Sequence, residues 1–79
     1  MSSYTILGTA KCIYCEKAKS LLVDRFSDYT YYDLDKHPWL RVMFKMTVMT
    51  TVPQVFSPEG LLIGGYTDLK AHLEDQKYD

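Results

Sequence analysis

Little in this 79-residue chain is present in excess, and most of what it lacks narrows its class. No apolar stretch approaches the ~20 residues that a membrane span needs. The opening residues, Met1-Ser2-Ser3-Tyr4, have neither the basic start nor the long apolar run of a signal peptide. No run of like charge occurs. Nine Lys and Arg stand against ten Asp and Glu, a net charge of −1, so neither a nucleic-acid patch nor a charged tail is expected. Repeats, linkers and low-complexity segments are missing too. Cysteine is scarce, with two residues where a disulfide-stapled secreted mini-protein usually carries more, at wider spacing. Together these absences predict a soluble, cytoplasmic protein that binds neither membrane nor nucleic acid.

What is present suits one small domain over residues 1–79. The hydrophobic fraction is 47%, ordinary for a globular chain. A chain of this length buries roughly 60–65% of its unfolded surface, near the lower limit for independent folding. Tyr4-Thr5-Ile6-Leu7 is β-prone and is followed by a Gly8-Thr9-Ala10 loop. From Ile13 to about Phe26 the period becomes helical, with Ala18, Leu21, Leu22 and Phe26 on one face. A second strand is expected over Tyr29–Leu34, rich in aromatic and β-branched residues. Pro38 suits the first position of a second helix, whose buried face would carry Leu40, Met43, Phe44 and Thr47. Val52–Phe56 reads as a third strand, Ser57-Pro58-Glu59-Gly60 as a turn and Leu61–Ile63 as a fourth strand. After Gly64-Gly65, Thr67 can cap a last helix with Asp68 in its first turn and Leu69 and Leu73 inward. The order is βαβ, then α, then ββα. It predicts an α/β fold, one mixed four-stranded sheet flanked by three helices, with the first two strands parallel. Strand order in the sheet stays open.

Lys11-Cys12-Ile13-Tyr14-Cys15 sits where a loop enters the first helix. The thiolate is the attacking form of cysteine, and a helix N-terminus favours an anion. With Lys11 adjacent, the pKa of Cys12 is expected below the free value of about 8.5. Cys15, three residues on, falls in line with Ala18 and Leu22 on the buried face. One exposed, activated sulfur with a second behind it suits a nucleophile and a resolving thiol. Two blander readings remain. The pair could be half of a zinc site, but His37 and His72 are the only other ligands of the usual kind and lack the spacing, so no metal is expected. It could also be an inert coincidence.

Three segments together resemble the glutaredoxin family across nearly the whole chain. They are Lys11-Cys12-Ile13-Tyr14-Cys15, Thr51-Val52-Pro53-Gln54-Val55-Phe56 and Gly64-Gly65-Tyr66-Thr67-Asp68. The resemblance implies a thioredoxin fold and a glutathione-dependent thiol-disulfide oxidoreductase that reduces protein disulfides and glutathione mixed disulfides. Cys12 matches the nucleophile and Cys15 the resolving thiol of a redox-active disulfide. Lys11 matches the basic residue before the motif, and Tyr14 the aromatic bordering the glutathione site. Thr51 and Val52 match a segment whose backbone pairs with glutathione like an added strand. Pro53 matches a cis-proline, Tyr66 flanks the groove, and Thr67 and Asp68 match positions that hold the γ-glutamyl end. Arg41 on the second helix is a candidate contact for the glycyl carboxylate. Glutathione would be a reducing co-substrate, with no permanently bound cofactor. The implied partners are disulfide-containing or glutathionylated proteins, ribonucleotide reductase being one candidate, and the implied state is a monomer. The sequence departs from the family's common pattern at Ile13, where proline is usual.

Overall fold

The computed structural model describes residues 3–46 and 51–76. Seven elements follow in order: β1 (Tyr4–Gly8), α1 (Ile13–Asp24), β2 (Tyr29–Asp33), α2 (Pro38–Lys45), β3 (Gln54–Phe56), β4 (Leu62–Gly64) and α3 (Tyr66–Gln76). This is the expected βαβ, α, ββα succession. The strand order, which periodicity left open, is β2-β1-β3-β4. β1 pairs parallel with β2 and antiparallel with β3, and β3 pairs antiparallel with β4. Ile6 thus lies between Tyr31 and Val55 at the centre of the sheet. Among the described residues no helix is long and apolar enough to cross a membrane.

Alternation along β1 turns Tyr4, Ile6 and Gly8 into the core and leaves Thr5 and Leu7 half-buried. Ala18 and Leu22 of α1, Val55 of β3, and Leu69 and Leu73 of α3 close over Tyr4 and Ile6. Burying one Leu or Ile side chain stabilises the fold by about 1.5–3 kcal/mol. α1 and α3 therefore hold the same face of the sheet and fix the ends from which the site is built.

Several boundaries differ from the sequence reading, each for a local reason. β1 runs on to Gly8, while β3 starts only at Gln54. Pro53 has no N–H for the ladder, and the Val52–Pro53 peptide is cis. β4 is displaced by one residue because the turn extends to Leu61. Ser57 N–H donates to the Leu61 carbonyl, Leu61 N–H donates to Ser57 Oγ, and Gly60 takes φ +88°.

α1 ends at Asp24, short of Phe26. Ser27 N–H donates to the Leu22 carbonyl and Phe26 N–H to that of Val23, the paired bonds of a Schellman stop. Phe26 occupies the left-handed position usually given to glycine, at φ 56°. Its ring points away from the core and is 98% exposed, against the expectation that it lay on the buried face. α2 departs similarly. Leu40 and Phe44, four residues apart, are half-buried on one ridge, whereas Met43 is 56% exposed. One residue is about 100° of helix, which rotates Met43 off the ridge that Phe44 occupies. Thr47 lies outside the described residues. In α3 the cap is Gly65, whose carbonyl accepts the Leu69 N–H. Thr67 is already inside the helix and is not the cap.

Candidate active site

Cys12 is the N-cap of α1, with extended backbone at φ −102° and ψ 109°. Its Sγ accepts the Cys15 N–H at 3.1 Å, so the sulfur does the work an Asp or Ser oxygen does at most helix starts. The two cysteines are joined as a disulfide with their Cα atoms 5.1 Å apart. They differ sharply in environment. Cys12 is half-buried, while Cys15 has no exposed surface and lines up with Ala18 and Leu22. When the bond is reduced, an anion on Cys12 would meet both the Cys15 N–H and the positive end of the α1 dipole. Lys11 stands exposed one residue earlier.

The space for Cys15 comes from Gly8. A methyl group there would lie 2.5 Å from Cys15 Sγ and 3.0 Å from the Tyr31 hydroxyl oxygen. Tyr31 donates to the Thr9 carbonyl at 2.9 Å and so ties β2 to the loop before the cysteines. Lys19 places its ammonium 3.8 Å from the centre of the Tyr31 ring and is paired with Glu16 at 2.8 Å. Burial pushes the Tyr31 phenol above its usual pKa. The Glu16 hydrogen bond likewise raises that of Lys19.

Beside the cysteine loop runs a groove of about 400 Å³ lined by Tyr14, Thr51, Val52, Pro53, Gln54 and the Gly64–Asp68 segment. Segments from three separate parts of the sequence meet there. The Tyr14 and Tyr66 rings stand 5.8 Å apart, and Lys17 covers Tyr14 with its ammonium 4.9 Å from the ring centre. Val52 lies just outside the ladder, which begins at Gln54. Tyr66, Thr67 and Asp68 form the first turn of α3, whose N–H groups have no partner within the helix. The Asp68 carboxylate reaches back to accept the Gly65 N–H at 3.3 Å, half of a capping box.

Of the residues expected at the glutathione site, Tyr14, Thr51, Val52, Pro53, Tyr66, Thr67 and Asp68 are brought together in this groove. Lys11 and Arg41 are not among its lining residues. The Arg41 guanidinium is instead paired with Asp35 on the approach to α2. Sequence reasoning missed Gln54, which is buried and donates from Nε2 to the Thr51 carbonyl at 2.9 Å, holding the segment before the cis-proline. A polar side chain in an otherwise apolar strand was the available signal. It also missed Gly64, whose φ is +124° and where a methyl would lie 2.9 Å from Asp68 Cγ. Only a residue without Cβ lets the Asp68 carboxylate fold back over the chain.

A cysteine pair at the start of the first helix, on a β2-β1-β3-β4 sheet with a cis-proline before β3, defines a thioredoxin-fold protein of the dithiol type. The glutaredoxin family model matches residues 4–62, and the chain belongs to the glutaredoxin family. The glutaredoxin of enterobacteria phage T4 is 28% identical, over 81% of this chain and 86% of the relative. Among solved structures, the dithiolic glutaredoxin of Trypanosoma brucei brucei is 31% identical with a TM-score of 0.78, over 96% of this chain and 81% of that one. A buckwheat glutaredoxin–glutathione complex is 25% identical with a TM-score of 0.79, over 96% and 72% of the two chains. Family and cysteine pair together make the chain a thiol-disulfide oxidoreductase.

Proposed function

We propose that this protein is a dithiol glutaredoxin that draws its electrons from glutathione and reduces protein disulfides and glutathione mixed disulfides. The observation that carries the reading is the groove that gathers Tyr14, Thr51–Pro53 and the start of α3 beside the cysteine loop. The likeness to the buckwheat glutaredoxin solved with glutathione supports it.

Cys12 is the nucleophile and Cys15 the resolving thiol. The Cys12 thiolate, held by the Cys15 N–H and the helix dipole, attacks one sulfur of a substrate disulfide. The substrate's sulfur–sulfur bond breaks, its other sulfur leaves as a thiolate, and Cys12 forms a mixed disulfide. With a glutathionylated protein, a second glutathione thiolate then attacks the sulfur of the Cys12-bound glutathione, releasing oxidised glutathione and the Cys12 thiolate. With a protein disulfide, Cys15 attacks Cys12 instead, releasing the reduced substrate and forming the Cys12–Cys15 disulfide. Two glutathiones reopen that bond.

Glutathione is an extended tripeptide with a carboxylate at each end and an ammonium at one. Val52, at the edge of the ladder, offers N–H and C=O groups to its cysteinyl part in the manner of an added strand. The N–H groups at Thr67 and Asp68 suit the γ-glutamyl carboxylate, as helix N-termini generally suit anions. Asp68 offers its carboxylate to the ammonium. Tyr14 and Tyr66 wall the groove, and Lys11 supplies positive charge beside Cys12. Arg41, held by Asp35, contributes at most long-range attraction to the glycyl end. A monomer acting in the cytoplasm on glutathionylated proteins or an enzyme such as ribonucleotide reductase fits this chemistry.

The test is a coupled assay with glutathione, glutathione reductase and NADPH on a small mixed disulfide. Asp68→Ala should raise KM for glutathione about tenfold, equivalent to ~1.4 kcal/mol. Amide shifts of Val52, Thr67 and Asp68 should move when glutathione is added. Activity with a flavoprotein reductase alone, and shifts that spare those residues, would make the protein thioredoxin-like instead.

A further inference from the structure

The sulfur that carries charge in the dithiol reaction without any exposed surface is Cys15. Each time an attacking thiolate bonds to Cys12 Sγ, the Cys12–Cys15 bond breaks and its electron pair leaves on Cys15 Sγ. A buried anion is costly unless a hydrogen-bond donor meets it. The Cys15 N–H is directed at Cys12 Sγ at 3.1 Å, so it serves the other sulfur. The Gly8 surface brings a second donor into the same pocket. A single added carbon there would contact both Cys15 Sγ at 2.5 Å and the Tyr31 hydroxyl at 3.0 Å.

We propose that the Tyr31 hydroxyl is the hydrogen-bond donor that stabilises Cys15 as a leaving thiolate. In the disulfide form its hydrogen is committed to the Thr9 carbonyl at 2.9 Å. A phenolic hydrogen swings about the C–O bond, so it can turn from Thr9 toward the Gly8 side of the pocket, where the newly charged sulfur lies. The ring itself is held from above by the Lys19 ammonium at 3.8 Å, which Glu16 anchors in turn. Lys19 also places positive charge over the phenol, which strengthens its O–H as a donor. A phenol is protonated at neutral pH, as a donor must be, and burial pushes the Tyr31 pKa further up. The Cys15 thiolate later takes up a proton that comes ultimately from solvent, and Tyr31 returns to Thr9. The tyrosine gains and loses nothing in the cycle.

The proposal rests on Cys15 being the departing sulfur, and its test avoids glutathione altogether. Dithiothreitol should reduce the disulfide of Tyr31→Phe about tenfold more slowly than that of the parent protein, followed by acid quench, alkylation and mass spectrometry. In Cys12→Ser, where Cys15 is the only thiol, the ionisation of Cys15 read from its ¹³Cβ shift should move to higher pH when Tyr31→Phe is added. A merely structural role for Tyr31 would leave that titration in place. Unchanged reduction rate or an unmoved Cys15 titration overturns the proposal. The unmutated protein reports separately on the parent reading, since it should remove glutathione from a small mixed disulfide. Absence of that activity would overturn the glutathione reading while leaving the Tyr31 result to stand on its own.

Discussion

The two helices that follow β1 and β2 make an instructive pair. α1 carries charge along much of its length, yet Cys15, Ala18 and Leu22 are wholly buried. α2 has the cleaner separation of apolar and polar residues, yet none of its residues is buried. Trp39, Val42 and Met43 of α2, and Met46 at its end, stand mostly exposed. Burial here follows position on the sheet more than amphipathic pattern. α1 is the crossover of the βαβ unit and must lie across the sheet, with α3 packed beside it. α2 bridges β2 and β3 at a distance from the cluster around Ile6 and Leu22. The reactive cysteines belong to the helix with the rigid footing, and a site needing two sulfurs in fixed places benefits from that.

Mutations can break or sharpen this contrast, beginning with the largest expected effect. Leu22→Ala removes a fully buried side chain from between α1 and the sheet and should cost about 2–5 kcal/mol in urea unfolding. A loss below about 1 kcal/mol would mean that α1 is no better anchored than α2. Phe26→Gly tests the end of the same helix. The exposed ring contributes no packing, and glycine removes the cost of a left-handed backbone, so stability should rise by about 0.5–1 kcal/mol. A net loss would show that the Phe26 ring contacts something it leaves uncovered here. Met43→Ser on α2 should stay within about 0.5 kcal/mol of the parent protein, as exposed substitutions usually do. A cost near that of Leu22→Ala would place α2 in the core.

The contrast also shows what could be seen in the sequence. The βαβ, α, ββα order was legible because period-2 and helical runs alternate and Pro38, Gly60 and Gly64-Gly65 punctuate them. The order of strands in the sheet was not, because pairing depends on contacts far apart in sequence. Phe26 and Met43 misled for one reason: both obey helical spacing, but spacing says nothing about where a helix stops or which side its ridge presents. The stop at Phe26 lacks the glycine that normally announces it. The cap of α3 was misread because Thr67 has a side-chain acceptor that Gly65 lacks, whereas here the Asp68 carboxylate reaches back from inside the helix to the Gly65 N–H. The groove was legible through the resemblance of three motifs. Gly8 and Tyr31 were not, since each acts by touching a residue from another element, whereas Gln54 holds Thr51 three residues before it and showed only as a polar side chain in an apolar strand.

That Cys12, the proposed attacking sulfur, also caps α1 has a consequence for its variants. Any replacement of this residue changes two things at once, the chemistry and the start of the helix. Serine keeps an acceptor for the Cys15 N–H, so Cys12→Ser is a chemical knockout on a near-native scaffold. Alanine offers no acceptor and forfeits roughly 1 kcal/mol of helix stability as well. Inactive variants meant to bind substrate without reacting, for affinity measurement or crystallisation, should therefore be built on the serine variant. Their alanine counterparts would confound a lost sulfur with a frayed helix.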